Sequence, residues 1–151
     1  MSEVQKQKTL EELRQILETT HTVAVVGLSD KPDRPGNRIP AYLQSQGYRI
    51  IPVNPKLSEA LGEKAYPSLR EIPVPVDVVD IFRRAEEVPP IVEDAIAIGA
   101  KVVWMQLGIA NEEAASRAKA AGLDVVMDTC MGATHQLLRS QGKIEGRSAS
   151  D

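Results

Sequence analysis

Cysteine is nearly missing from this sequence: Cys130 stands alone, which excludes an internal disulfide. Histidine is almost as scarce, and His21 and His135 lie too far apart to build a metal-ligand cluster. No apolar run approaches the roughly 20 residues that cross a bilayer. The opening stretch, MSEVQKQKTLEELRQ, has no apolar core of the kind a signal peptide needs. A positive excess is also lacking. The formal net charge of −3 leaves no footprint of a nucleic-acid or membrane surface, so any anion site has to be local. A cytoplasmic protein is the expectation.

What is present fits one globular domain. The chain has 151 residues, 42% hydrophobic and 26% charged, enough to bury a sizeable core. Thr9 with Glu12 has capping-box spacing, and Leu10, Leu13, Ile16 and Leu17 give the following helix one apolar face. TVAVVGL (22–28), YRIIPV (48–53), VDVVDIF (76–82), KVVWMQL (101–107) and LDVVM (123–127) read as strands covered on both faces. Between them, a helix is expected to start between Asn37 and Pro40 and end at Gly47. A short helix is expected at Ser68–Glu71, another from Pro89 and Pro90 to Gly99, and a fourth from an Asn111 cap to Gly122. MGATHQLL reads as a short last helix. The domain is expected over 8–138, with 139–151 a flexible polar tail. Alternating strands and helices predict an α/β fold with a parallel sheet between two helical layers. Ligands in such folds bind beyond the carboxyl ends of the strands, near a switch in strand order.

The strand ends therefore carry the functional reading. Gly27 lets a ligand approach the backbone, but the dinucleotide fingerprint also needs glycines where this chain has Ser29 and Pro32. Ser29, Lys31, Arg34 and the helix start after them can meet phosphate, or form an ordinary polar loop. After Val53, Asn54 occupies the place where an NAD binder carries an acid, and Pro55 and Lys56 follow. A cation in place of a carboxylate favours a ribose bearing an extra phosphate, as in NADP or coenzyme A. Phe82, Arg83 and Arg84 end the third strand; two adjacent arginines suit a phosphate clamp or adenine stacking, although Glu86 and Glu87 are near enough to pair with them. Gly108 precedes the Asn111 helix, where backbone amides are available to a ligand. Trp104, mid-strand, is expected in the core. No reaction centre is assembled. Asp77 and Asp80 fall on opposite faces of a strand, both histidines lack a visible nucleophile or acid, and Cys130 reads first as a small buried hydrophobe.

The ordered segments GLSDKPDRP, PVNP, DIFRR, WMQLG and MDTCM resemble the stand-alone CoA-binding domain proteins, themselves similar to the N-terminal domain of the succinyl-CoA synthetase alpha subunit. The resemblance spans about residues 10–135. It implies a three-layer Rossmann-like fold with a mainly parallel sheet of five or six strands. It implies CoA contacts at Gly27, Leu28 and Ser29, with Lys31, Arg34 and Asn37 beside them, at Val53, Asn54, Pro55 and Lys56, and at Phe82, Arg83 and Arg84. The pantetheine arm is expected to run toward Gly108. Lys56, Arg34, Arg83 and Arg84 are the candidates for the 3′-phosphate. The synthetase subunit has a second domain with a phosphorylated histidine; neither His21 nor His135 lies in a matching motif, so ligase activity is not carried over. The expectation is non-catalytic binding of CoA or acyl-CoA. Rival readings are an NADP-binding oxidoreductase and an interaction module for a partner bearing the missing ligase domain. A homodimer stays open.

Overall fold

The structure is a computed structural model that describes residues 7–145. In chain order its elements are α1 (Leu10–Thr19), β1 (Thr22–Val26), α2 (Pro35–Ser45), β2 (Arg49–Val53), β3 (Glu59–Ala60), β4 (Glu63–Lys64), β5 (Val78–Ile81), α3 (Val88–Ala97), β6 (Val102–Met105), α4 (Glu112–Ala120), β7 (Asp124–Val126) and α5 (Met131–Ser140). Five strands form one parallel sheet in the order β2-β1-β5-β6-β7.

The continuous apolar runs are explained by cover on both faces. Val23, Val25, Val78 and Trp104 pack under α1, α2 and α5 through Leu13, Leu17, Leu43, Met131 and Leu138. Ala24, Val79, Val103 and Met105 pack under α3 and α4 through Val88, Val92, Ala95, Ala114 and Ala118. Truncating one fully buried leucine, such as Leu17 or Leu43, costs about 2–5 kcal/mol in a core of this kind. The caps expected at Thr9 and Asn111 form, while Ser68 makes no side-chain cap to the short 3-10 turn Leu69–Glu71. Thr9 Oγ1 accepts from the Glu12 N–H at 3.1 Å while Glu12 Oε1 accepts from the Thr9 N–H at 2.8 Å. Asn111 Oδ1 accepts from the Ala114 N–H at 2.9 Å.

Four details differ from the sequence expectation. The strands are shorter, trimmed by one or more residues at one or both ends, as where β2 starts at Arg49 and β5 covers only Val78–Ile81. The α2 helix begins at Pro35, ahead of the Asn37–Pro40 start, so Pro40 lies inside it. Proline has no N–H to offer the carbonyl four residues earlier, and that carbonyl, on Gly36, instead accepts from the Ser29 N–H at 3.1 Å. A small antiparallel pair, β3 with β4, follows β2. The last helix continues to Ser140, and Ile144 is buried in the α1-side core; positions 146–151 of the expected tail lie outside the described residues.

The chain passes from β1 to β2 on one side, then crosses to β5 on the other side of β1. Connections therefore diverge at the carboxyl ends of β1 and β5, which is where a crevice opens in this type of sheet.

Candidate functional site

Gly27 follows β1 at φ +88°. A Cβ there would fall 2.7 Å from the Phe82 carbonyl oxygen and 2.8 Å from Arg83 Cδ. Only glycine lets the β1 and β5 ends approach this closely. The loop after it is held from three sides: Asn37 Nδ2 donates to the Ser29 carbonyl at 2.8 Å, Asn54 Nδ2 donates to the Leu28 carbonyl at 3.0 Å, and Ser29 donates its N–H to Gly36. Asn54 also shapes its own turn, its Oδ1 accepting from the Lys56 N–H at 2.9 Å.

Three cavities lie along the strand ends, and Arg83 lines all of them. One, of about 620 Å³, is cationic: Lys31, Arg34, Lys56 and Arg83 surround Gly27, Ser29 and the α2 start at Pro35 and Gly36. A second, also about 620 Å³, extends over β2 between Val53, Asn54, Pro55, Lys56 and Pro67 on one side and Glu86, Glu87, Pro90 and Ile91 on the other. The third, about 630 Å³, is largely apolar, with Pro35, Ile39, Phe82, Leu107, Ile109 and Cys130 among its walls and Gln106 beside them.

These cavities sort the residues picked from sequence. Gly27, Ser29, Lys31, Arg34, Val53, Asn54, Pro55, Lys56, Phe82, Arg83, Arg84 and Gly108 each line at least one. Leu28 and Asn37 line none of the three: Leu28 is fully buried in the core and Asn37 is the tie that holds the Ser29 loop. The Gly108 amide is already taken, donating to Asp128 Oδ1 at 2.6 Å, so the backbone there holds a loop together. Phe82 packs against the core and lines cavity as well. Arg83 Nη2 and Arg84 Nε contact the Glu87 carboxylate at 2.6 and 3.3 Å. Those arginines, Arg83 first, hold the Glu87 carboxyl below the usual carboxylate range.

Among residues that sequence left aside, Cys130 is half-buried and caps α5, its Sγ accepting from the Ala133 N–H at 3.4 Å. Trp104 is fully buried, and its Nε1–H donates to the Thr129 carbonyl at 2.8 Å, tying down the loop ahead of Cys130. His135 is buried against the rings of Tyr42 and Tyr48 and hydrogen-bonds the Tyr42 hydroxyl at 2.9 Å, a core role. Asp77 Oδ2 accepts the N–H groups of His21 and Thr22 at 2.8 and 3.0 Å. Burial pushes its carboxyl up, but those N–H groups and Lys101 outweigh burial and leave it low. Asp80 is fully buried mid-β5, and burial pushes its carboxyl up to about 7. Its Oδ1 accepts from Gln106 Nε2 at 2.6 Å and its Oδ2 has no partner among the described residues.

Residues 21–136 fit the model of the CoA binding domain. This chain belongs to that family. The CoA binding domain is 44% identical to the Bacillus subtilis protein YneT over 128 residues, covering 85% of this chain and 95% of that one. It is 32% identical over 120 residues to the ADP-forming acetate–CoA ligase I of Archaeoglobus fulgidus, which takes in 73% of this chain but 18% of the ligase. A hypothetical protein from Pyrococcus horikoshii OT3 superposes with a TM-score of 0.86 at 42% identity, covering 92% of this chain and 99% of that structure. The domain thus corresponds to one part of a much larger ligase and to nearly the whole of two smaller proteins. Among the described residues no group of three or more His, Cys, Asp or Glu is placed to hold a metal, and no helix is long and apolar enough to cross a membrane.

Proposed function

We propose that the strand-end crevice binds coenzyme A or an acyl-CoA and that this chain performs no reaction on it. The carrying observation is the convergence of Lys31, Arg34, Lys56 and Arg83 on one cavity at the switch in strand order, with an apolar cavity sharing Arg83. The diphosphate lies over Gly27 and the α2 start, where backbone and cations both favour anions. The adenosine occupies the cavity beside Asn54, Pro55, Pro67 and Ile91, and the pantetheine arm occupies the apolar one. Lys56 and Arg83 both line the cationic and the adenosine cavity, but Arg83 is engaged by Glu87, which makes Lys56 the better-placed cation for the 3′-phosphate. Arg84 lines only the apolar cavity and is 79% exposed, so it serves the mouth of that arm.

Calorimetric titration with CoA, 3′-dephospho-CoA, NADP and NAD in one buffer tests this reading. CoA is expected to bind, and loss of the 3′-phosphate is expected to weaken it by about tenfold, or roughly 1.4 kcal/mol. Binding of NADP without CoA would overturn it and point to an oxidoreductase.

A further inference from the structure

Asp80 is costly where it stands. It is 0% exposed in the middle of the sheet, with Val25 and Trp104 as its neighbours in register. No cation forms a salt bridge with it among the described residues, and Oδ2 is unpartnered. A buried carboxyl of this kind lowers stability unless something offsets it, and it is a poor choice for holding a fold together. Its one side-chain hydrogen bond among the described residues leads to the crevice. Gln106 is 3% exposed, donates Nε2 to Asp80 Oδ1 at 2.6 Å, and lines the apolar cavity with Ile39, Phe82, Leu107 and Cys130. A carboxylate only accepts hydrogen bonds, so Asp80 fixes which end of the Gln106 amide turns toward it. The amide carbonyl is left as an acceptor.

We propose that Asp80 and Gln106 form a specificity element for the apolar cavity, Gln106 touching the thiol or acyl end of the ligand and Asp80 acting through it as a positioning residue. The pair admits a free thiol or an uncharged acyl group and rejects an acyl group that ends in a carboxylate. Two properties produce this. The Gln106 carbonyl offers an acceptor to a pantetheine N–H or S–H, and the negative charge behind it opposes a second carboxylate in a site of low polarity. Arg83 and Arg84, the cations on this cavity's wall, are engaged by Glu87. The inference rests on the CoA reading above, and its test keeps the two apart.

The affinities of CoA, butyryl-CoA and succinyl-CoA are measured by calorimetry near pH 8, where Asp80 is ionised, for the wild type, Asp80→Asn and Gln106→Met. The wild type is expected to hold butyryl-CoA at least about tenfold more tightly than succinyl-CoA. D80N keeps the shape and an acceptor for Gln106 but removes the charge, and is expected to narrow that ratio by at least about threefold. Q106M is expected to weaken all three ligands while leaving the CoA to 3′-dephospho-CoA ratio intact. A structural role alone would shift every ligand equally and leave the ratio unmoved. Equal wild-type affinity for butyryl-CoA and succinyl-CoA, or an unchanged ratio in D80N, overturns the specificity element with the CoA reading still standing. Failure of the wild type to bind any of the three overturns both.

Discussion

Asp80→Asn gives the sharpest test of how this fold carries its buried charge. In the folded chain the Asp80 carboxyl keeps its proton up to about 7, whereas the ordinary value is 3.8. Burial is the main cause, partly opposed by hydrogen bonds from Gln106 and the Ile81 N–H. Folding therefore takes up a proton between those two values. Stability is greatest when Asp80 is protonated in both states, falls as pH rises through this window, and levels off above about 7. Between pH 5 and pH 8 this one group removes about 2.5 kcal/mol from the wild type. Asn has no such titration. It carries a fixed cost instead, because its amide nitrogen takes the place of the unpartnered Oδ2, about 1–3 kcal/mol at any pH. The absolute order of the two proteins thus depends on pH, and the slope of their difference does not depend on that fixed cost. Urea unfolding of both proteins at pH 5, 6, 7 and 8 reads the slope directly, since other titrating groups cancel in the difference. D80N is expected to gain about 2.5 kcal/mol on the wild type across that range, equivalent to roughly 5–10 °C in midpoint temperature for a chain of this size. A difference that stays flat with pH would refute the claim that Asp80 sits uncompensated in the sheet.

Three further perturbations bear on the crevice. Gly27→Ala places a Cβ 2.7 Å from the Phe82 carbonyl at φ +88°, so urea unfolding should show a loss of about 1–3 kcal/mol, and a neutral result would mean the two strand ends can part. Glu87→Gln removes the exposed pairs with Arg83 and Arg84; since such pairs are weak, CoA affinity should rise by at most about fivefold, and a fall would assign Glu87 a direct contact with ligand. Lys56→Ala should erase most of the difference between CoA and 3′-dephospho-CoA in calorimetry while barely moving the unfolding midpoint; a difference that persists would transfer the 3′-phosphate to Arg34 or Arg83.

What was legible in the sequence and what was not divides along a physical line. Continuous β-branched runs such as TVAVV announce a strand buried on both faces, and their alternation with helices fixes a parallel sheet before any pairing is known. Strand ends follow at once, which is why Gly27, Lys56 and Arg83 were within reach, and the cavities there gather them. Local spacing also suffices for caps, as at Thr9 and Asn111. Pairing across the sheet is not local. Asp80 and Gln106 are 26 positions apart and meet only because β5 and β6 adopt one register, with Ile81 beside Met105. Asn37 reads as a polar residue near a phosphate loop, yet the Gly36 carbonyl that Pro40 leaves free and the Asn37 amide both turn to Ser29, so the helix start holds the loop and leaves the cations to face outward. At Gly108 a glycine after a strand suggests an open amide, and only the fold shows that N–H donating to Asp128. Composition and period thus locate where a ligand can sit, while the partners of each polar group, which decide what the ligand meets, appear only once distant strands are laid side by side.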